Sequence, residues 1–229
     1  MFWNDFLDLI FPSVCLGCQT PLPHAEPLCA DCFAALPRAD ALFCGRCLAR
    51  RPDGRTLCHP DHPYRFGAAS DYRDPMVRAL IHDLKFRSRR EAAHPLAELL
   101  IEYADRLSLD LKSYLIMPIP LAAHRARQRG FNQAALIAEP LARHFGKGLS
   151  EEILVRTRST KPQSELKDFA ERRQNVTACF AVRELAAVAG QAVLLVDDVR
   201  TSGATLEEAA RALKKAGARR VLALVAARA

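Results

Sequence analysis

The sequence predicts an α/β fold, a parallel sheet flanked by helices, with a small cysteine-rich module at its N-terminal end. Two observations predict it. Beyond about residue 64, short apolar runs alternate with amphipathic stretches of helical period, the pattern of strands covered by helices. Before it, seven of the eight cysteines crowd between Cys15 and Cys58, and only Cys179 stands apart. The expected division is therefore 1–63, an N-terminal helix with a metal-binding module, and 64–229, the α/β domain. With 229 residues, half of them hydrophobic, the chain can bury a sizeable core and carry a small appendage, and disorder is not expected.

The chain begins with Phe2, Trp3, Phe6, Leu7, Ile10 and Phe11 at spacings that fit a short amphipathic helix, read as a cap on the core. Asp5 and Asp8 lie among them and no basic stretch precedes them, so the segment does not read as a secretory signal. No apolar run approaches the roughly 20 residues that span a bilayer. A cytoplasmic location without a membrane span is the expectation.

The cysteines have regular spacing. Cys15 and Cys18 are followed by Cys29 and Cys32; Cys44 and Cys47 are followed by Cys58. Each CxxC knuckle offers two sulfurs to one metal, and the hairpin between knuckles brings the second pair around, as tetrahedral zinc requires. Disulfides are the competing reading, disfavoured for CxxC pairs in a cytosolic chain. The first four cysteines complete one Zn²⁺ site. The second set has three thiolates and takes its fourth ligand from His62, Asp61 or His59, with His62 the expected donor; without one it is a metal-free vestige. Four protein ligands leave no open position, so the zinc is structural, and in so small a module it supplies folding energy.

Further along, Pro75 to Phe86 reads as a helix with Met76, Ala79, Leu80 and Leu84 toward the core, and Lys85 toward either a site or solvent. Tyr114 to Ile119 is a core strand, followed by the basic run that holds Arg125, Arg127 and Arg129. Gly130 to Gln133 reads as a turn in which Asn132 caps the next helix. Ile153 to Val155 is a strand, Arg156 to Lys161 an exposed basic loop, and a helix is expected from about Ser164. Cys179, in a strand by its sequence TACFAV, is read as an inert core thiol.

The segment with most chemistry is VLLVDDVRTSGAT, Val193 to Thr205. Its apolar run is a buried parallel strand that delivers Asp197 and Asp198 at its carboxyl end, where open α/β sheets bind ligands. Thr201, Ser202, Gly203, Ala204 and Thr205 then open a helix from about Ala204 to Ala216. Short hydroxyl residues and free N–H groups at a helix N-terminus suit a phosphate, and Gly203 allows close approach. Carboxylates beside an anion loop suit a sugar phosphate: the acids accept from ribose hydroxyls or hold hydrated Mg²⁺. A receiver domain also ends a strand in paired aspartates, but after its first strand, and too little chain follows Asp198 here. No GxxxxGK[ST] occurs, which argues against a P-loop ATPase.

Val193 to Thr205 resembles the 5-phosphoribosyl-1-pyrophosphate (PRPP) motif of type I phosphoribosyltransferases. Together with the CxxC pairs and the segments Ser70 to Phe86, Ile116 to Arg143 and Arg156 to Val176, it makes the chain similar to the ComF family of bacterial competence-associated proteins over nearly its whole length. ComF-type chains often have a further CxxC where this one has Cys58 followed by His59, Pro60, Asp61 and His62. The resemblance implies a type I phosphoribosyltransferase-like sheet behind a zinc-ribbon module. It implies PRPP and Mg²⁺ as ligands and places Pro118 to Leu121 on the pyrophosphate, with Arg125, Arg127 and Arg129 nearby and the choice among them open. Asp197 and Asp198 are then read on the ribose hydroxyls and Thr201 to Thr205 on the phosphate, while Arg158 and Lys161, in a basic loop suited to excluding water, are the further candidates.

Three functions follow from this reading: a phosphoribosyltransferase of open acceptor, a PRPP-sensing factor without turnover, and a nucleic-acid-associated factor in natural transformation. DNA-uptake or recombination proteins are the partners the family implies. The formal charge of +7, clustered in basic runs, favours anionic partners, and direct nucleic-acid contact is one of them.

Overall fold

The structure, a computed structural model, describes residues 13–22, 26–51, 58–157 and 179–229. The N-terminal helix expected over Phe2 to Phe11, the basic residues Arg158 and Lys161, and the helix expected from Ser164 lie outside the described residues.

The centre of the molecule is a mostly parallel sheet. Its longest strands are β7 (Ala192–Arg200) and β8 (Arg220–Arg228), which pair in parallel. β3 (Arg65–Asp71) lies parallel on the far side of β8, and β4 (Tyr114–Pro118) parallel on the far side of β7. Two short antiparallel strands, β1 (Leu42–Cys44) and β2 (Arg50–Arg51), extend the β3 edge, so the sheet order is β2-β1-β3-β8-β7-β4. The runs of Val, Leu and Ala in β7 and β8 are apolar on both pleats because both faces are covered.

Alternate residues of β7 divide between two cores. Leu194 and Val196 pack with α2 (Pro75–Phe86), α3 (Ala93–Arg106) and α5 (Gln133–His144) on one face. Val193 and Leu195 pack on the other face with Leu206, Ala209, Ala210 and Leu213 of α7 (Ala204–Lys215). The period of 2 in the strand and of about 3.6 in the helices thus builds three layers. In α2 the buried apolar residues are Val77, Leu80, Ile81 and Leu84; Met76 and Ala79 are only partly buried. Two short helices, α1 (Ala30–Ala34) and α4 (Ala123–Arg129), sit in the connections. β5 (Leu154–Arg156) and β6 (Phe180–Val182) pair antiparallel as a separate ribbon, and α6 (Leu185–Val188) leads from it to β7. Cys179 is fully buried beside this ribbon, in keeping with a core thiol.

The cysteine-rich segment is joined to this body by packing and by hydrogen bonds. Cys15, Leu28, Leu36 and Leu42 share the core of α2 and α3. Tyr103 Oη donates to the Ala41 carbonyl at 2.6 Å, Ser70 Oγ donates to the Pro37 carbonyl at 2.6 Å, and Arg38 Nε lies 2.7 Å from Glu102 Oε2. Chain termini of such small modules cannot bury enough apolar surface alone, and here the main sheet supplies it.

Candidate functional site

Two thiol clusters form in the cysteine-rich segment. Cys15, Cys18, Cys29 and Cys32 gather with their sulfurs within 4.8 Å of one another. None of the eight cysteines is in a disulfide. The Cys15 to Cys29 sulfur separation is 3.8 Å and the Cys18 to Cys29 separation 3.7 Å. A tetrahedron of sulfurs about 2.3 Å from zinc has edges of about 3.8 Å, so the donor set fits the ion. The knuckle turn aims backbone donors at the sulfurs: the N–H groups of Gly17 and Cys29 reach Cys15 Sγ at 3.4 and 3.3 Å. Burial acts to raise the Cys15 thiol, but backbone donors at Cys18, Cys29 and Gly17 outweigh it and bring it down to about 6. Hydrogen bonding with Cys15 and Cys29 pushes Cys32 up to about 12. A divalent cation removes that conflict by taking every sulfur as thiolate.

The second cluster holds Cys44, Cys47, Cys58 and His59, not His62. His59 Nδ1 lies 3.3 Å from both Cys44 Sγ and Cys58 Sγ, and the Cys47 and Cys58 sulfurs are 3.5 Å apart. This corrects the expectation for the fourth donor. His59 follows Cys58 directly and turns into the cluster, whereas His62 is tucked against Tyr64, with ring centroids 4.6 Å apart, and against Gly45. Burial lowers His62 to about 4, so it stays neutral, and its Nε2 is buried without a hydrogen-bond partner among the described residues. Three thiolates and an imidazole are a zinc donor set as complete as four thiolates.

The acid pair stands at the carboxyl end of β7. Asp197 and Asp198 are both buried, Asp198 to 2% exposure, and the Asp198 N–H donates to Asp197 Oδ1 at 2.9 Å. Burial, and then the neighbouring Asp198 carboxylate, push Asp197 well above the usual carboxylate range. Asp198 has a cation: Lys85 Nζ lies 2.5 Å from its Oδ2, outside hydrogen-bonding angles. Lys85 is at the last turn of α2, so the choice between site and solvent that the sequence left open falls to the site.

Arg129 ends α4 and is held near the acids. Its Nη1 donates to Gln133 Oε1 at 2.9 Å, and its guanidinium lies 5.7 Å from the centroid of the Phe86 ring. Burial lowers the Arg129 pKa against the pull of Asp198 and Asp197. Phe86 is 65% exposed, a large apolar face at the rim beside Lys85. Asn132 does the capping work expected of it: its side chain accepts from Ala134 N–H and its amide donates to the Ile119 carbonyl at 3.1 Å.

The loop after the acids leads from β7 into α7. Ser202, Gly203 and Ala204 are buried and Thr201 is exposed. Ser202 Oγ accepts from the Ala204 N–H at 3.4 Å. Gly203 takes φ +80 as the residue before α7, a left-handed conformation in which glycine has no side-chain penalty. The helix dipole places partial positive charge at this N-terminal end of α7. Sequence reasoning missed Phe86, Gln133 and Arg200. Arg200 is 6% exposed and lies beneath the loop with its guanidinium on the Phe66 ring at 5.1 Å.

Comparison with known proteins gives two family matches. Residues 132–229 match the phosphoribosyl transferase domain, and residues 6–60 match the double zinc ribbon domain. A relative in Escherichia coli O157:H7, the DNA utilization protein YhgH, is 36% identical over 92% of this chain and 94% of its own length. Competence protein F of Haemophilus influenzae is 31% identical, over 90% of this chain and 86% of its own. Competence protein ComFC of Bacillus subtilis is 28% identical, over 90% of this chain and 79% of its own.

Proposed function

Because the chain belongs to the ComF family of phosphoribosyltransferase-like proteins with a double zinc ribbon, we propose that it binds PRPP with Mg²⁺ at the carboxyl end of β7. The observation that carries this is the buried Asp197 and Asp198 pair directly before the loop Thr201 to Thr205. Acids alone would repel a phosphate and an anion loop alone would not hold a sugar; side by side they suit a ribose phosphate. Asp197 and Asp198 accept from the ribose hydroxyls, and the hydroxyls and N–H groups of Thr201, Ser202, Gly203, Ala204 and Thr205 take the 5-phosphate. Arg129 faces the pyrophosphate, and Arg158 and Lys161 are proposed as further cations toward it. Mg²⁺ bound with the substrate would neutralise charge on the pyrophosphate.

Transfer, where it follows binding, breaks the bond from ribose C1 to the pyrophosphate oxygen, which leaves with the electron pair. A nucleophilic acceptor bonds to C1 and gives up its proton to solvent. Positioning and charge neutralisation by the chain's cations carry such a reaction, since the departing group is already stable as an anion.

Calorimetric titration with PRPP, with and without Mg²⁺, tests the site. Asp198→Asn and Thr205→Val are each expected to weaken binding by tenfold or more; unchanged affinity in both sinks the assignment. Pyrophosphate release across a panel of bases and amines then separates a transferase from a PRPP-sensing factor. The names of the relatives, DNA utilization protein and competence protein, support a role in DNA utilization and competence, and DNA-uptake or recombination proteins are the partners proposed for it. Direct contact with DNA through the basic runs is the second reading, and a binding constant that does not fall with salt excludes it.

A further inference from the structure

One side chain joins the second thiol cluster to the anion loop. Arg200 is the last residue of β7 and the one before Thr201. Its Nη2 donates to the Gly45 carbonyl at 3.1 Å and its Nη1 to the Thr201 carbonyl at 3.4 Å. Gly45 is inside the knuckle, between the metal-ligating Cys44 and Cys47. The same carbonyl receives the Tyr64 hydroxyl at 3.5 Å, and His62 is packed against Gly45 so closely that a Cβ there would stand 2.5 Å from its Nε2. The knuckle peptide is thus held by the metal ligands on one side and by Arg200 on the other.

The loop end of the contact is as close. A Cβ at position 203 would lie 2.7 Å from Arg200 Nη2 and 2.8 Å from its Nε. The guanidinium therefore lies directly under the Gly203 backbone, between the loop and the Phe66 ring. Burying a guanidinium costs far more than burying an apolar side chain of the same length, and its Nε has no hydrogen-bond partner among the described residues. A packing role alone does not repay that cost; a planar fork that holds two separate backbones does.

We propose that Arg200 is a positioning residue which couples the second metal site to the anion loop. Metal at Cys44, Cys47, Cys58 and His59 fixes the Gly45 carbonyl, the carbonyl fixes the guanidinium, and the guanidinium fixes Thr201 and Gly203 in the shape that receives a phosphate. Coupling of this kind is reciprocal: ligand in the loop strengthens the hold on the metal by the same factor. The ligand half rests on the PRPP reading above; the metal-to-loop half does not.

The experiment uses the full chain. His59→Ala removes a ligand of the second site, and metal analysis verifies that the first site stays loaded. PRPP with Mg²⁺ is expected to bind about fivefold or more weakly to His59→Ala than to the parent, the lower end of typical coupling. In an Arg200→Met background the same His59→Ala change is expected to alter affinity by less than twofold, because the link is already cut. Arg200→Lys, which keeps charge and stem but not the fork, serves where Arg200→Met does not fold, and the same loss of coupling is expected. Losses that simply multiply in both backgrounds overturn the proposal. Hydrogen exchange at the Thr201 to Thr205 amides gives a readout free of PRPP. Exchange is expected to quicken in His59→Ala with Arg200 present and to respond little in the Arg200 variants; an unchanged loop overturns the coupling. If the parent binds no PRPP, the proposed function fails while the exchange result still decides the link.

Discussion

Asp197 is a carboxylate buried beside a second carboxylate, and it shows what a binding site costs the fold. Burial and then Asp198 raise it well above 3.8, so the folded state keeps a proton that the unfolded chain releases. The folded state binds more protons in that window, and stability falls as pH rises from 3.8 through the raised value. Asp197→Asn keeps the shape and removes the titration. It is expected to raise Tm near neutral pH, by about 2–4 °C for each kcal/mol recovered in a chain this size, while PRPP binding weakens. The gain is expected to shrink toward acid, where the parent carboxyl is protonated in both states. Thermal melts over a pH series check both signs, and a Tm lowered at neutral pH contradicts the account. His62 is legible to the sequence only as a type: imidazole near three thiols is a sound ligand by chemistry, but three residues of turn geometry hand the role to His59.

At the scale of elements, the bounds of α2 were readable in the sequence, while its core face was read only in part: Leu80 and Leu84 are buried as expected, but Val77 and Ile81 are buried where Met76 and Ala79 were expected. Pro75 is at its first turn, and Asp74 accepts from the N–H groups of Met76 and Val77, both at 3.0 Å. A capping carboxylate and a proline at the start are local signals with local causes. Asp74→Ala is expected to cost about 1 kcal/mol, seen as a Tm lower by about 2–4 °C. Since α2 ends in Lys85 and Phe86, the helix that caps well at one end aims a cation at Asp198 from the other. A Tm unchanged by Asp74→Ala would show that packing of Leu80, Ile81 and Leu84, not the cap, holds the helix in place. β5 and β6 were legible as strands, but nothing local told that they pair with each other outside the main sheet.

At the scale of the whole molecule, the cysteine-rich segment and the α/β body share a sheet and a core. β1 pairs with β3 at Phe43 with Phe66 and Cys44 with Arg65, so a metal ligand is itself a strand residue of the central sheet. Zinc should then matter beyond its own module. Two zinc ions per chain are expected by metal analysis, falling to one in Cys58→Ser and staying at two in His62→Ala. A loss of zinc in His62→Ala equal to that in Cys58→Ser would return the ligand role to His62. Among the described residues no helix is long and apolar enough to cross a membrane.

The sequence by itself determined the α/β class, the strand that carries Asp197 and Asp198, the loop Thr201 to Thr205 after it and the two groups of knuckle cysteines. Each rests on short-range order: alternation in a strand, spacing of ligands, a donor-rich turn before a helix. The tertiary structure alone decided that Lys85 neutralises Asp198, that Arg129 lies near the acids, that His59 completes the second cluster and that Arg200 reaches Gly45, 155 positions away. Those are meetings between segments far apart in the chain. Which side chain arrives first at a buried carbonyl or carboxylate is set by how the layers pack, and no local pattern in the sequence encodes it.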